Sequence, residues 1–207
     1  MTDPGIADLA DVTVEVVTDP AAAAGVAEVA AITFPLACPP HAAPADIENF
    51  VADNLRENNF RDHIADPTAD VLVARDGVGG PILGYALVMH RDPTHPDVCA
   101  VVTERPVSEI SKMYVLRDHH SRQGATPSHL LMGAALDRAR SHGSALVWLG
   151  VNQLNVRAQR FYTKMGFERA GVKTFTLGES TEHDYVFTQR LWTGGSVAPT
   201  RKPTPFR

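Results

Sequence analysis

Between Val147 and Phe167 the chain sets out, in immediate succession, an apolar strand, a capped helix and a stop. Ala145 to Val151 is a short uncharged apolar run, the mark of a buried strand. Asn155 then stands where a helix N-cap belongs, since its side-chain oxygen can accept from the open amides of a first turn. Ala158, Phe161, Tyr162 and Met165 follow at i, i+3, i+4 and i+7, one inward face of a helix over residues 155–165. Gly166 sits where a left-handed C-terminal residue is wanted, and Phe167 opens the next strand. An amphipathic helix held this tightly between two strands has to bury its apolar face against a sheet.

The rest of the chain supplies that sheet. Val12 to Thr18 alternates valine with Thr and Glu and reads as a strand. Pro20 opens a helix that runs to about Phe34, and a second amphipathic helix spans Ala45 to about Glu57, with a short helical turn at Phe60 to Ala65. Asp70 to Arg75 and Ile82 to Met89 form a hairpin about the glycine-rich 76–80 segment. Residues 91–106 hold three prolines and look like a loop. Glu109 to Leu116 is the next strand, followed by a polar loop and a helix from about Ser128 to His142, stopped by Gly143. Phe167 to Leu177 and His183 to Leu191 make a final strand pair. The predicted architecture is one α/β domain over residues 12–192, with a mixed sheet and helices on both faces. A doubly wound sheet is excluded, because strands and helices do not alternate regularly and no early glycine loop occurs. Residues 1–11 and 193–207 carry no pattern and are expected to be a loose terminus and a disordered tail.

Charge and cysteine content narrow the classes of function. Net charge is −5, but residues 1–100 carry −12 and residues 101–207 carry +7. If both halves face one cleft, one favours a cation and the other a polyanion. Scattered basic residues on an acidic molecule disfavour nucleic acid. Two distant cysteines, Cys38 and Cys99, exclude a disulfide framework or a thiolate metal site and suit a reducing cytoplasm. No 18-residue apolar run is evident, so neither a signal peptide nor a membrane span is expected.

The pattern Asn155-x2-Ala158-x3-Tyr162-x3-Gly166-Phe167 resembles the C-terminal motif of the GCN5-related N-acetyltransferase (GNAT) superfamily. Glu109 to His142, a strand, loop and helix, is similar to that family in order and spacing. Val147 to Val151 followed by Phe161-Tyr162-x-Lys164-Met165-Gly166-Phe167 is similar to bacterial polyamine N-acetyltransferases. The resemblance implies the GNAT fold, acetyl-CoA as cosubstrate, an amine acceptor, direct transfer without a covalent enzyme intermediate, and no metal; a homodimer would be in keeping. It implies that acetyl-CoA lies where the strands Glu109–Leu116 and Ala145–Val151 splay apart, with backbone amides near Met113 and Val115 holding thioester and pantetheine.

The diphosphate is expected at the helix N-terminus near Ser128, which offers amides and partial positive charge. Arg117, Arg122, His119 and His120 would add charge there. The family pattern Q/R-x-x-G-x-G/A is altered in this loop, which reads Arg122-Gln123-Gly124-Ala125-Thr126-Pro127-Ser128. One register places Thr126 and Ser128 where glycines belong; another centres the turn on Gly124 and Ala125. Pro127 removes one donor in either. Asn155 and Ala158 complete the expected cofactor set, Asn155 as cap, as CoA contact or as both.

For transfer, the amine must lose a proton and the CoA thiolate must gain one. Tyr162 is the candidate acid, with a core tyrosine as its alternative, and Glu109 the candidate base, acting directly or through water. Trp148 and Phe161 read as packing. His90 and His95 flank Asp92, but with Pro93 and Pro96 between them the segment suggests a plain loop rather than a metal site. Cys38 lies in a proline-rich loop without a His or Asn motif to activate it. Asp46, Glu48, Asp53 and Glu57 make an acidic helix face, either an ordinary solvated surface or an amine-attracting rim. A small polyamine-like acceptor leads, with a protein N-terminus or lysine, or an amine-bearing drug, also open. From a different class, a noncatalytic CoA sensor or binding module would account for the altered loop.

Overall fold

In the computed structural model, which describes residues 12–117, 126–178 and 180–191, the chain builds one seven-stranded sheet in the order β1-β2-β3-β4-β5-β7-β6. The strands are β1 (Val12–Val16), β2 (Ala69–Asp76), β3 (Ile82–Met89), β4 (Val107–Val115), β5 (Leu146–Asn152), β6 (Glu168–Leu177) and β7 (Ser180–Arg190). The helices are α1 (Ala23–Thr33), α2 (Pro44–Asn54), α3 (Glu57–Ala65), α4 (Pro96–Val101), α5 (Pro127–Ser141) and α6 (Val156–Lys164). Every neighbouring strand pair is antiparallel except β4 and β5, which run parallel. The predicted mixed sheet with helices on both faces is what forms.

Strand alternation assigns the two faces. Leu72, Ala74, Ala86 and Val88 pack with Leu131, Met132, Ala135 and Ala139 of α5. The residues between them, Val71, Val73, Tyr85 and Leu87, turn the other way and bury Val26, Ala30 and Phe60 of α1 and α3. Central strands covered on both sides have no solvent face to spend on polar residues, which is why they are apolar throughout.

Two expectations need correction. Residues 91–106 are not loop throughout: α4 forms within them, started by Pro96 at its first position and by the His95 side chain, which accepts from the Asp97 amide. Proline there costs nothing, since a first-turn N–H has no intrahelical acceptor to lose. One stretch, Pro20–Ala37, does reach membrane-span length, with a mean hydropathy of 1.5 over 18 residues. It is broken into α1 and two short 3-10 turns, Pro20–Ala22 and Pro35–Ala37, and its Ala23, Val26 and Ala30 are sealed in the domain core.

Candidate active site

The site begins with a strand that bends. β4 pairs with β5 only at Val107, Ser108 and Glu109, opposite Leu146, Val147 and Trp148. On its other edge the register against β3 slips at Leu87/Val88, where Lys112 and Ile110 are the successive partners and Ser111 is the extra residue. A bulge increases local twist and turns a strand away from one neighbour. β4 and β5 therefore diverge beyond Glu109, as expected. The gap belongs to a cleft of about 490 Å3 lined by both strands, the N-termini of α5 and α6, residues 33–39, and the β6–β7 hairpin.

Glu109, Met113, Val115, Thr126, Ser128, Asn155, Ala158 and Tyr162 all line this one cleft. Arg122, Gln123, Gly124 and Ala125, with His119 and His120, lie outside the described residues, as do the expected termini. Pro127 does not spoil the α5 N-terminus. It sits at the first helical position, with Thr126 as N-cap, and its missing N–H would have had no helical acceptor. The His129 and Leu130 amides bond back to the Thr126 carbonyl, while the Ser128 amide has no acceptor among the described residues. Asn155 caps α6 by accepting from the Ala158 amide at 3.1 Å, and Gly166 takes the left-handed conformation with φ of 92°.

Burial sets the protonation of the two proposed acid–base groups. Tyr162 is buried among Phe161, Phe167 and Phe187, and desolvation pushes its hydroxyl up to about 12, so it holds its proton at neutral pH. Glu109 is desolvated too, which lifts its carboxyl above the ordinary glutamate range against the pull of Lys112, Lys173 and Arg91. Burial in turn lowers the Lys112 ammonium, with Glu109 opposing. A raised carboxylate that ionises closer to neutrality is a stronger base than an exposed one.

Much of the polar wall was not read from the sequence. Lys112, Lys173, Glu182, Asp184 and Tyr114 also line the cleft. Lys173 of β6 and Asp184 of β7 are register partners and bond at 3.3 Å. Gly150 of β5 makes room for them, since a Cβ there would stand 2.5 Å from Lys173 Cε. Glu182 is 7% exposed and holds His41 Nε2 at 2.7 Å and Asn152 Nδ2 at 3.4 Å. Its strand was expected to begin at His183, three residues after its start at Ser180, and the alternation that aims Glu182 and Asp184 to one side was thereby hidden. The charge halves misled in the same way: the carboxylates on the wall, Glu109, Glu182 and Asp184, belong to the basic half. Glu48, Asp53 and Glu57 are exposed and, with Asp46, line no part of the cleft.

Cys38 reaches the cleft as a thiol. Burial and the nearby Glu182 push it up to about 11, and its Sγ donates to the Phe34 carbonyl at 3.4 Å. A group so far from its thiolate is a poor nucleophile. Trp148 packs as expected, buried with Val98, Val102, Val107, Leu146 and Val186.

Comparison with known proteins agrees with this architecture. The model of the acetyltransferase (GNAT) family matches residues 34–167. An uncharacterized N-acetyltransferase of Mycobacterium tuberculosis is 44% identical over 165 residues, covering 80% of this chain and 95% of that protein. Another from Lactobacillus delbrueckii subsp. lactis is 25% identical over 149 residues, 72% of this chain and 80% of that protein. Among solved structures, the PaiA N-acetyltransferase of Thermoplasma acidophilum in complex with coenzyme A superposes with a TM-score of 0.65 at 14% identity, over 86% of this chain and 99% of that one. YncA of Salmonella typhimurium with its cofactor acetyl-CoA gives 0.57 at 18% identity, over 93% and 99%. With a family model spanning most of the domain and a relative this similar along nearly its whole length, the chain belongs to the GNAT family of acetyltransferases.

Proposed function

We propose that this acetyltransferase carries the acetyl group of acetyl-CoA to a primary amine on a small cationic acceptor, a polyamine being the leading candidate. The observation that carries the reading is the placement of Glu109 and Tyr162 on the wall of one cleft, at the divergence of β4 and β5. The α5 N-terminus at Thr126 and Ser128 borders the same cleft, and its amides suit a diphosphate. Acetyl-CoA supplies a thioester carbonyl ready for transfer. Glu109 takes a proton from the attacking ammonium or amine, and the Tyr162 hydroxyl gives one to the departing sulfur. Met113, Val115, Asn155 and Ala158 hold the cofactor arm beside them.

The carboxylates that remain available support a cationic acceptor. Asp184 is engaged by Lys173, whereas Glu182 is held by Asn152 and by His41, whose side chain is 57% exposed. An ammonium entering the cleft can take the place of His41 on Glu182 without burying a new unpaired charge.

The test is titration calorimetry with acetyl-CoA and with CoA, followed by acetylation of an amine panel containing spermidine, lysine peptides and amino sugars. Micromolar cofactor binding with turnover of polyamines, lost in Tyr162→Phe, supports the reading. Binding without turnover of any amine would point to a CoA sensor, and no binding up to millimolar cofactor would overturn it.

A further inference from the structure

At the far end of α5 from the cleft, three elements bring metal-ligating groups together. Asp70 opens β2, His90 follows β3, and His142 follows α5; their ligand atoms all lie within 4.8 Å of one another. None lines the acyl-transfer cleft. His90 Nε2 stands 2.9 Å from Asp70 Oδ2, and His142 Nε2 stands 3.6 Å from the same oxygen. Ligands held about 2.0–2.1 Å from a zinc-class ion are about 2.9 Å apart at an octahedral edge and about 3.3 Å at a tetrahedral one. The two spacings to Asp70 Oδ2 are within a few tenths of an ångström of such edges.

We propose that Asp70, His90 and His142 form a binding site for a divalent transition metal such as Zn2+, with the remaining positions open to water. Two imidazole nitrogens and one carboxylate are a donor set such ions favour. His90 is oriented from behind: its Nδ1 lies 2.7 Å from Ser108 Oγ, which lies 2.6 Å from Ser144 Oγ, both serines buried. Hydroxyls donate or accept by rotation, so this pair can take a proton on His90 Nδ1 and leave Nε2 its lone pair for an ion. The side chains of Asp70 and His90 are 9% and 5% exposed, and that of His142 is 31% exposed, which leaves an entry on the His142 flank.

Arg138 now fills the role of the cation. Its Nε and Nη2 donate to the two Asp70 oxygens at 2.7 and 3.2 Å, and its side chain is 38% exposed. An arriving ion displaces it towards solvent. The His142 ring, stacked on His90 at 3.6 Å and nearly parallel, must also turn on its open side for its lone pair to converge. Both movements tax affinity, so the site is of modest strength and Arg138 is its competitor.

The experiment uses the full chain, stripped with chelator, titrated with Zn2+ by calorimetry and with Co2+ by visible absorption. One equivalent should bind, His142→Ala should weaken it at least 10-fold, and Arg138→Gln should tighten it at least 10-fold. Far-UV circular dichroism confirms that the variants, altered at partly exposed positions, keep their fold. Binding unchanged in His142→Ala, binding seen only in Arg138→Gln, or no binding to the parent chain up to millimolar metal would each overturn the proposal. The readout is metal occupancy alone, so it stands or falls apart from the acyl-transfer reading.

Discussion

Burial keeps Tyr162, the acid of the proposed mechanism, protonated at every physiological pH. Its hydroxyl is pushed up to about 12 in an aromatic pocket that borders the cleft, so it is a donor throughout the physiological range. Tyr162→Phe keeps the ring packing and removes the proton, and should lower kcat by about 10²-fold or more with KM for acetyl-CoA little changed. Glu109 behaves oppositely with pH. A base works ionised, so kcat/KM should rise with pH through a carboxyl value above that of a free glutamate, because desolvation outweighs Lys112, Lys173 and Arg91. In Glu109→Gln a pH–rate profile should lose that acid limb; an unchanged limb would assign it to another group.

Secondary-structure ends carry as much of the site as side chains do. α6 depends on Asn155, whose cap bond to the Ala158 amide fixes the helix that presents Tyr162. Asn155→Ala should cost about 1 kcal/mol in chemical denaturation. A greater loss in kcat/KM than in stability would show that Asn155 also touches the cofactor. Gly150 of β5 lies under the Lys173–Asp184 pair: in Gly150→Val the added side chain meets the flexible end of Lys173 and the Asp184 carboxylate, and the pair must shift. Denaturation should show a loss of about 1–3 kcal/mol by overpacking, with KM for the amine raised more than KM for acetyl-CoA. The bulge at Ser111 is the reason a strand pair that begins in register opens into a gap at all.

For the whole molecule, the cleft joins parts remote in sequence, from residues 33–39 to the β6–β7 hairpin. A ligand that fills it should stabilise all of them together. At 100 times its Kd, acetyl-CoA should add about 2.7 kcal/mol, a rise in Tm of roughly 5–10 °C for a chain of this size. A thermal melt with and without cofactor checks this, and no shift up to millimolar acetyl-CoA would mean that the folded chain does not bind it.

What the amino-acid sequence determined by itself was local. Hydrophobic period, capping residues and turn glycines act over a few residues, so the strands, α5, α6, the Asn155 cap and the Gly166 stop could be read before any fold was known. Spacing on α6 likewise gave its inward face, because a helix converts spacing directly into a face, while the choice of Tyr162 as acid over a core tyrosine came from the resemblance to the GNAT motif. The tertiary structure alone decided the rest. The β4–β5 gap depends on a bulge set by pairing with β3, and the polar wall of Lys173, Glu182 and Asp184 on a hairpin folded across β5. Asp70, His90 and His142 meet only because β2, β3 and α5 pack at one corner. Such contacts join residues tens of positions apart, and their free energy comes from burying shared surface, which no window along the chain contains.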